Sequence, residues 1–130
     1  MANPVILSND THRHLRVITT RSADFGENKH FVQVIGDELS KLVLDFPVCL
    51  MKSKETGKFS LNALMGLEAG ENFFLQGERW TASHLPLHMR RQPFLLALPN
   101  DQEQASDEHK ARVAIDMDSK RVNESQGQAI

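Results

Sequence analysis

The sequence predicts an α+β fold: a mostly antiparallel sheet of about six or seven short strands, with two short helices near residues 37–45 and 84–91. Three observations predict it. Short apolar runs recur along the chain, several alternating with polar residues as strands with one buried face do. The gaps between them are brief and carry Gly, Asn, Asp and Lys, the residues of tight turns. Helical spacing of apolar residues appears in two stretches that are themselves short.

Taken in order, residues 4–7 read as a strand, residues 8–11 as a turn and residues 15–19 as a second strand. A polar loop through Arg21, Asp24, Gly26 and Asn28 leads to a strand over residues 31–35. Leu39, Leu42, Val43 and Phe46 then follow helical spacing, and Asp37 and Glu38 suit the positive end of that helix. The helix ends where Phe46 meets Pro47.

The central stretch, residues 46–99, organises the rest. Residues 48–51 are an apolar strand with Pro47 before it, where a missing N–H costs no ladder bond. Residues 52–58 are a polar hairpin turn containing Gly57, and residues 59–63 alternate as a strand. A turn over residues 66–71 precedes a strand over 72–76. Ser83 is placed to cap a helix that Pro93 stops. Residues 94–98 are apolar at every position, which predicts a central strand covered on both faces. Residues 100–110 read as a mobile polar loop and residues 112–117 as a last strand. Residues 1–119 form a single domain in this reading, with 120–130 a frayed polar tail.

Composition bounds the function. At 130 residues, 40% hydrophobic and 25% charged, the chain has the make-up of a globular domain. A net charge of −2 gives no general pull toward nucleic acid or an anionic membrane. One cysteine excludes an internal disulfide and a multi-Cys zinc site, and Cys49 lies in an apolar strand as a small core residue. No apolar run reaches transmembrane length, and Met1-Ala2-Asn3-Pro4 lacks the start of a signal peptide. The expected location is therefore cytoplasmic.

Candidate chemistry is sparse. His84 and His88 stand four apart on the second predicted helix, a spacing that can present two imidazoles to a divalent metal, but the sequence around them supplies no third ligand. His12 and His14 alternate on a predicted strand. Asp116 and Asp118 flank Met117 and can offer hard oxygens to magnesium, or can bond the local backbone of a turn, which is the favoured reading. Arg90 and Arg91 are the strongest local positive charge and can receive a carboxylate or phosphate. Pairing with Glu68, Glu71 or Glu78 competes with that role. Trp80 is either a ligand-stacking residue or a core anchor. The weak ligand site is thus Trp80, Arg90 and Arg91, with no catalytic residue and no metal or cofactor assigned.

The run KETGKFSLNALMGLEAGENFFL, then Trp80, then Pro86 with RRQPFLL over residues 90–96, resembles the SapC family of bacterial proteins, named for a surface-layer association. His12 to Val17, Asp37-Glu38 before Phe46-Pro47-Val48, and VAIDMDS over residues 113–119 match as well. Phe46 and Gln92 stand where the family usually has Tyr. Family members usually run further, so the resemblance implies the N-terminal portion of the family fold. It also implies an association with surface-layer or envelope biology; together with the missing third metal ligand and the absent nucleophile arrangement, the expectation is a non-enzymatic protein acting through protein–protein contacts, with a protein partner or self-association. No nucleic acid and no membrane insertion are expected. The alternatives are an accessory ligand-binding module and a metal-dependent enzyme using His12, His84, His88 or the Asp116/Asp118 pair.

Overall fold

The structure, a computed structural model, describes residues 2–97 and 111–130. Its elements in chain order begin with β1 (Pro4–Ile6), α1 (Asn9–His12), β2 (Arg16–Val17), a 3-10 turn (Ala23–Phe25) and β3 (Phe31–Gln33). A second 3-10 turn (Gly36–Glu38) runs into α2 (Leu39–Leu42), followed by β4 (Val48–Lys52), β5 (Phe59–Leu64), β6 (Leu75–Gln76), β7 (Arg79–Trp80) and α3 (Leu87–Arg90). The chain continues through β8 (Phe94–Ala97), β9 (Arg112–Asp116), β10 (Val122–Asn123) and β11 (Gln128–Ala129). Every strand pairing among the described residues is antiparallel, and the fold is α+β. The expected loop over residues 100–110 lies outside the described residues.

The chain forms two compact units, Thr20–Arg91 and the pair of segments Met1–Thr19 and Gln92–Ile130. The central unit carries the sheet β3-β5-β4 and the hairpin β6-β7. Its core is Val34, Leu42, Phe46, Ala63, Met65 and Met89, with Val48, Leu61, Phe74 and Trp80 packed against it. β5 is central because its alternation puts Ala63 and Leu61 on this core. The β4–β5 hairpin closes as predicted: Ser53 N–H donates to Lys58 O (2.9 Å), and Gly57 takes the left-handed φ of +68° that this turn requires.

The terminal unit holds two sheets, β1-β9-β8 and β10-β2-β11. Here two expectations are corrected. The strand expected over residues 94–98, whose last position lies outside the described residues, is not central: among the described residues β8 (Phe94–Ala97) is an edge, β9 is central, and Leu96 is exposed. An all-apolar run reports β-propensity and length; it does not say which neighbour supplies the ladder. Nor is the tail frayed. β10 and β11 pair with β2 on its two sides, Val122 and Gln128 both opposite Val17. Arg16 Nη1 donates to Gly127 O (2.9 Å). Gly127 has φ +103°, and a Cβ there would run into the carbonyl of Val17, so only glycine allows this approach. The signal was present in one Gly within a polar run.

Other differences are matters of extent. The expected turn over 8–11 is the single helical turn α1, capped by Ser8 Oγ accepting from Asp10 N–H (3.3 Å). The expected strand over 72–76 shrinks to Leu75–Gln76 because Asn72 Oδ1 accepts from Phe74 N–H (3.1 Å), a local bond that competes with the ladder. The first predicted helix is α-helical only over Leu39–Leu42, and the second begins at Leu87 rather than residue 84.

Candidate functional site

The residues singled out for chemistry fall mainly in the central unit, around a carboxylate that was assigned only a dipole role. Glu38 closes the 3-10 turn before α2 and is 3% exposed. Its Oε1 accepts from Ile35 N–H (3.3 Å), and its Oε2 accepts from Leu87 N–H (2.9 Å). Oε2 also meets His84 Nε2 at 3.0 Å. A buried carboxylate needs donors, and these three provide them. The arrangement ties the turn at 35–38 to the segment entering α3.

One step along the same segment, Asp45 repeats the device at the surface. Its Oδ2 accepts from Ser83 N–H (2.8 Å) and, in a very short bond, from the Ser83 hydroxyl. The Ser83 hydroxyl, then its N–H and the backbone of His84, hold the Asp45 carboxyl below the usual carboxylate range. Ser83 is therefore not the helix cap it was expected to be: its hydroxyl donates to Asp45, and Pro86 occupies the N-cap position of α3. Trp80 Nε1 donates to His84 O (3.0 Å), so the backbone of this segment is fixed from a third direction.

The structure brings His84 to Glu38, the carboxylate neighbour that sequence spacing alone did not identify. Both oxygens of Glu38 are already engaged by N–H donors, and among the described residues no cluster of three His, Cys, Asp or Glu is arranged to hold a metal ion. His88 sits on α3, where burial and then the Arg91 charge lower its pKa against the opposing pull of Glu38. Trp80 is a core residue, stacked with Phe46 at 6.2 Å and tilted against Phe74 at 6.1 Å. Arg90 and Arg91 lie at the exposed C-terminal end of α3. Glu71 Oε2 accepts from Leu67 N–H and Glu68 N–H (both 3.0 Å), which closes its own loop.

The remaining candidates make the following contacts. His12 is buried at the end of α1, not on a strand, and its Nδ1 accepts from Ser8 N–H (3.0 Å). His14 follows in a turn, its Nε2 accepting from Arg13 Nε (3.2 Å). Asp116 Oδ1 accepts from Asn3 N–H (2.8 Å) and Asp118 N–H (3.2 Å), the local turn that was favoured over magnesium binding. Cys49 is half-buried in β4. Sequence reasoning missed Glu27 entirely. It is buried, accepts from Arg21 Nη1 (2.5 Å) and from Ser22 N–H (3.2 Å), and Arg21 also reaches Met89 O at the end of α3 (3.3 Å). Arg21 and Glu27 are six apart in a loop with no periodicity, so no sequence signal pairs them.

Two outcomes follow from these bonds. Glu38→Ala removes the buried acceptor of Ile35 N–H and Leu87 N–H and the partner of the His84 ring, and should lower the unfolding free energy by about 1–3 kcal/mol in urea titration. For His88, the folded pKa lies below the unfolded value of about 6.5, so its contribution is present above that pH and is lost as pH falls through the folded pKa. His88→Gln should therefore flatten the stability profile on the acid side of about pH 6.5, measured by thermal melts at stepped pH; an unchanged slope would contradict this.

Comparison with curated proteins and with solved structures returns no match. A family model does match: SapC, over residues 7–130, which takes in both units, the tail strands and the Glu38 corner. The chain belongs to the SapC family.

Proposed function

We propose that this SapC family protein is non-enzymatic and acts through protein–protein contacts, with surface-layer or envelope biology as the setting that the family resemblance suggests and a cytoplasmic location. The observation that carries the reading is one sheet face in the central unit. Val48, Leu61 and Ala63 of β4 and β5 face the core, and Leu50 and Phe59 continue the same face. Those two are 66% and 65% exposed. Isolated exposed apolar residues are ordinary, but adjacent large ones that extend a core face favour association. His12, His84 and Asp116 are engaged in bonds that hold the fold, which supports contact over catalysis at those positions. Among the described residues no helix is long and apolar enough to cross a membrane.

An accessory ligand-binding role is the second reading, favoured by a groove of about 430 Å³ lined by Asn28, Lys29, His30, Phe31, Val32, Gln33 and Gly70. That size is within the range of small-molecule sites. Its lining does not include Trp80, Arg90 or Arg91.

The test of the first reading is light-scattering mass across about 1–100 µM combined with cross-linking in extracts of the source cell. A mass that rises with concentration, or a defined cross-linked partner that Leu50→Ser with Phe59→Ser abolishes, is the expected result. A monomer at every concentration with no cross-linked partner would contradict it.

A further inference from the structure

We infer that the outer edge of β4 is a docking site for an acidic, extended peptide segment of a partner protein, an inference that rests on the protein-contact reading above. Three independent observations meet at this edge.

The first is the backbone. Among the described residues β4 is an edge strand, in the order β3-β5-β4. Leu64 N–H donates to Pro47 O and Ser53 N–H to Lys58 O (both 2.9 Å), which sets the phase of the ladder. In an antiparallel pair the bonded positions alternate, so Cys49 and Met51 direct their N–H and C=O to β5. Val48, Leu50 and Lys52 direct theirs outward, a row of donors and acceptors that another extended chain can complete. The second observation is apolar. Leu50 and Phe59 stand exposed on one face beside this row, Leu50 opposite Leu61 and Phe59 opposite Lys52. The third is charge. Lys52, Lys54 and Lys58 face a single acid, Glu55, within residues 52–58, although the whole chain carries −2. Lys52 Nζ lies 5.7 Å from the Phe59 ring centroid, which holds one ammonium over the apolar surface at the strand edge.

Charge chooses the occupant. Edge lysines discourage neutral and basic strands from adding. A second copy pairing through the same edge would bring three more lysines to it, so homotypic pairing is disfavoured. An acidic strand gains where these lose. Backbone bonds then supply affinity, and side chains two positions apart on one face of the partner supply selectivity: an apolar side chain beside Leu50 and Phe59, and a carboxylate beside Lys52 on that same face.

The probe is a fluorescent, end-blocked peptide of repeated Val-Val-Glu-Glu, which shows valine and glutamate in turn on each face, followed by anisotropy with the whole chain. Saturable binding is expected, weakened at least about tenfold by K52E/K54E/K58E and weakened again between about 50 and 300 mM salt. A lysine–valine peptide, and a glutamate–valine peptide N-methylated at alternate residues, should not bind. Circular dichroism melts show whether the triple variant is folded; if it is not, the salt and N-methyl comparisons on the parent chain decide alone. No binding to the parent up to about 1 mM, or equal binding of the N-methylated peptide, overturns the inference. Binding to phosphatidylglycerol vesicles without binding to the peptide reassigns the lysines to a lipid surface and overturns it too. If the cross-linked partner is retained by K52E/K54E/K58E, protein contact stands and only this site fails.

Discussion

The central unit depends on one buried carboxylate. Glu38 has almost no contact with water, yet both its oxygens are occupied, by Ile35 N–H, Leu87 N–H and His84 Nε2. Neither helix beside it is long enough to stand alone: α2 and α3 have four residues each, and a helix so short in water does not cover the cost of its own nucleation. They exist because they are pinned. Glu38 holds the entry to α3 against the entry to α2, Asp45 holds Ser83 one step earlier, and Arg21, paired with Glu27, reaches the carbonyl of Met89 near the far end of α3. Leu42, Phe46 and Met89 can then meet Val34 and Ala63 in one apolar core. Removing a partner from such an arrangement costs more than the bond itself, because the group left behind stays buried.

Much of the fold was legible because it rests on local periodicity and turn chemistry. The hairpin of β4 and β5 announces itself through alternation in residues 59–63 and through Gly57. β9, β1 and β3 are where apolar runs predict them, with shorter ends. Three of the failures share a cause: each depends on a partner distant in sequence. Whether β8 is central or marginal is decided by the β9 pairing, not by its own apolar composition. The tail reads as polar and loose until Gly127 is seen against the Val17 carbonyl and Arg16 against Gly127. Ser83 has the chemistry of a cap but spends it on Asp45, 38 positions away.

The candidate site shows the same division. Asp116 and Asp118 formed the turn that their own spacing suggests, because Asx bonding is local. Trp80 became a core anchor through Phe46 and Phe74, two rings that helical or strand spacing does not link to it. His84 and His88 were read as a pair because they are four apart, whereas the structure gives His84 to Glu38, 46 positions earlier. Spacing identifies residues that can share a face; it does not identify the group that a fold brings in from elsewhere. Among the surfaces open to solvent beside these polar groups is the edge of β4 with Leu50, Phe59 and the three lysines, a surface with the chemistry of contact.

The most direct measurement of the Glu38 account is native-state hydrogen exchange at the Leu87 amide. This N–H lies at the start of a four-residue helix, where in the absence of a tertiary acceptor it would have no intrahelical partner and would exchange freely. If Glu38 accepts it as described, Leu87 exchanges only through the larger opening that also exposes the Val34 amide of the core, with protection of similar size. A Leu87 amide that exchanges as fast as an exposed loop, while Val34 stays protected, would contradict the claim that this buried carboxylate holds the unit together.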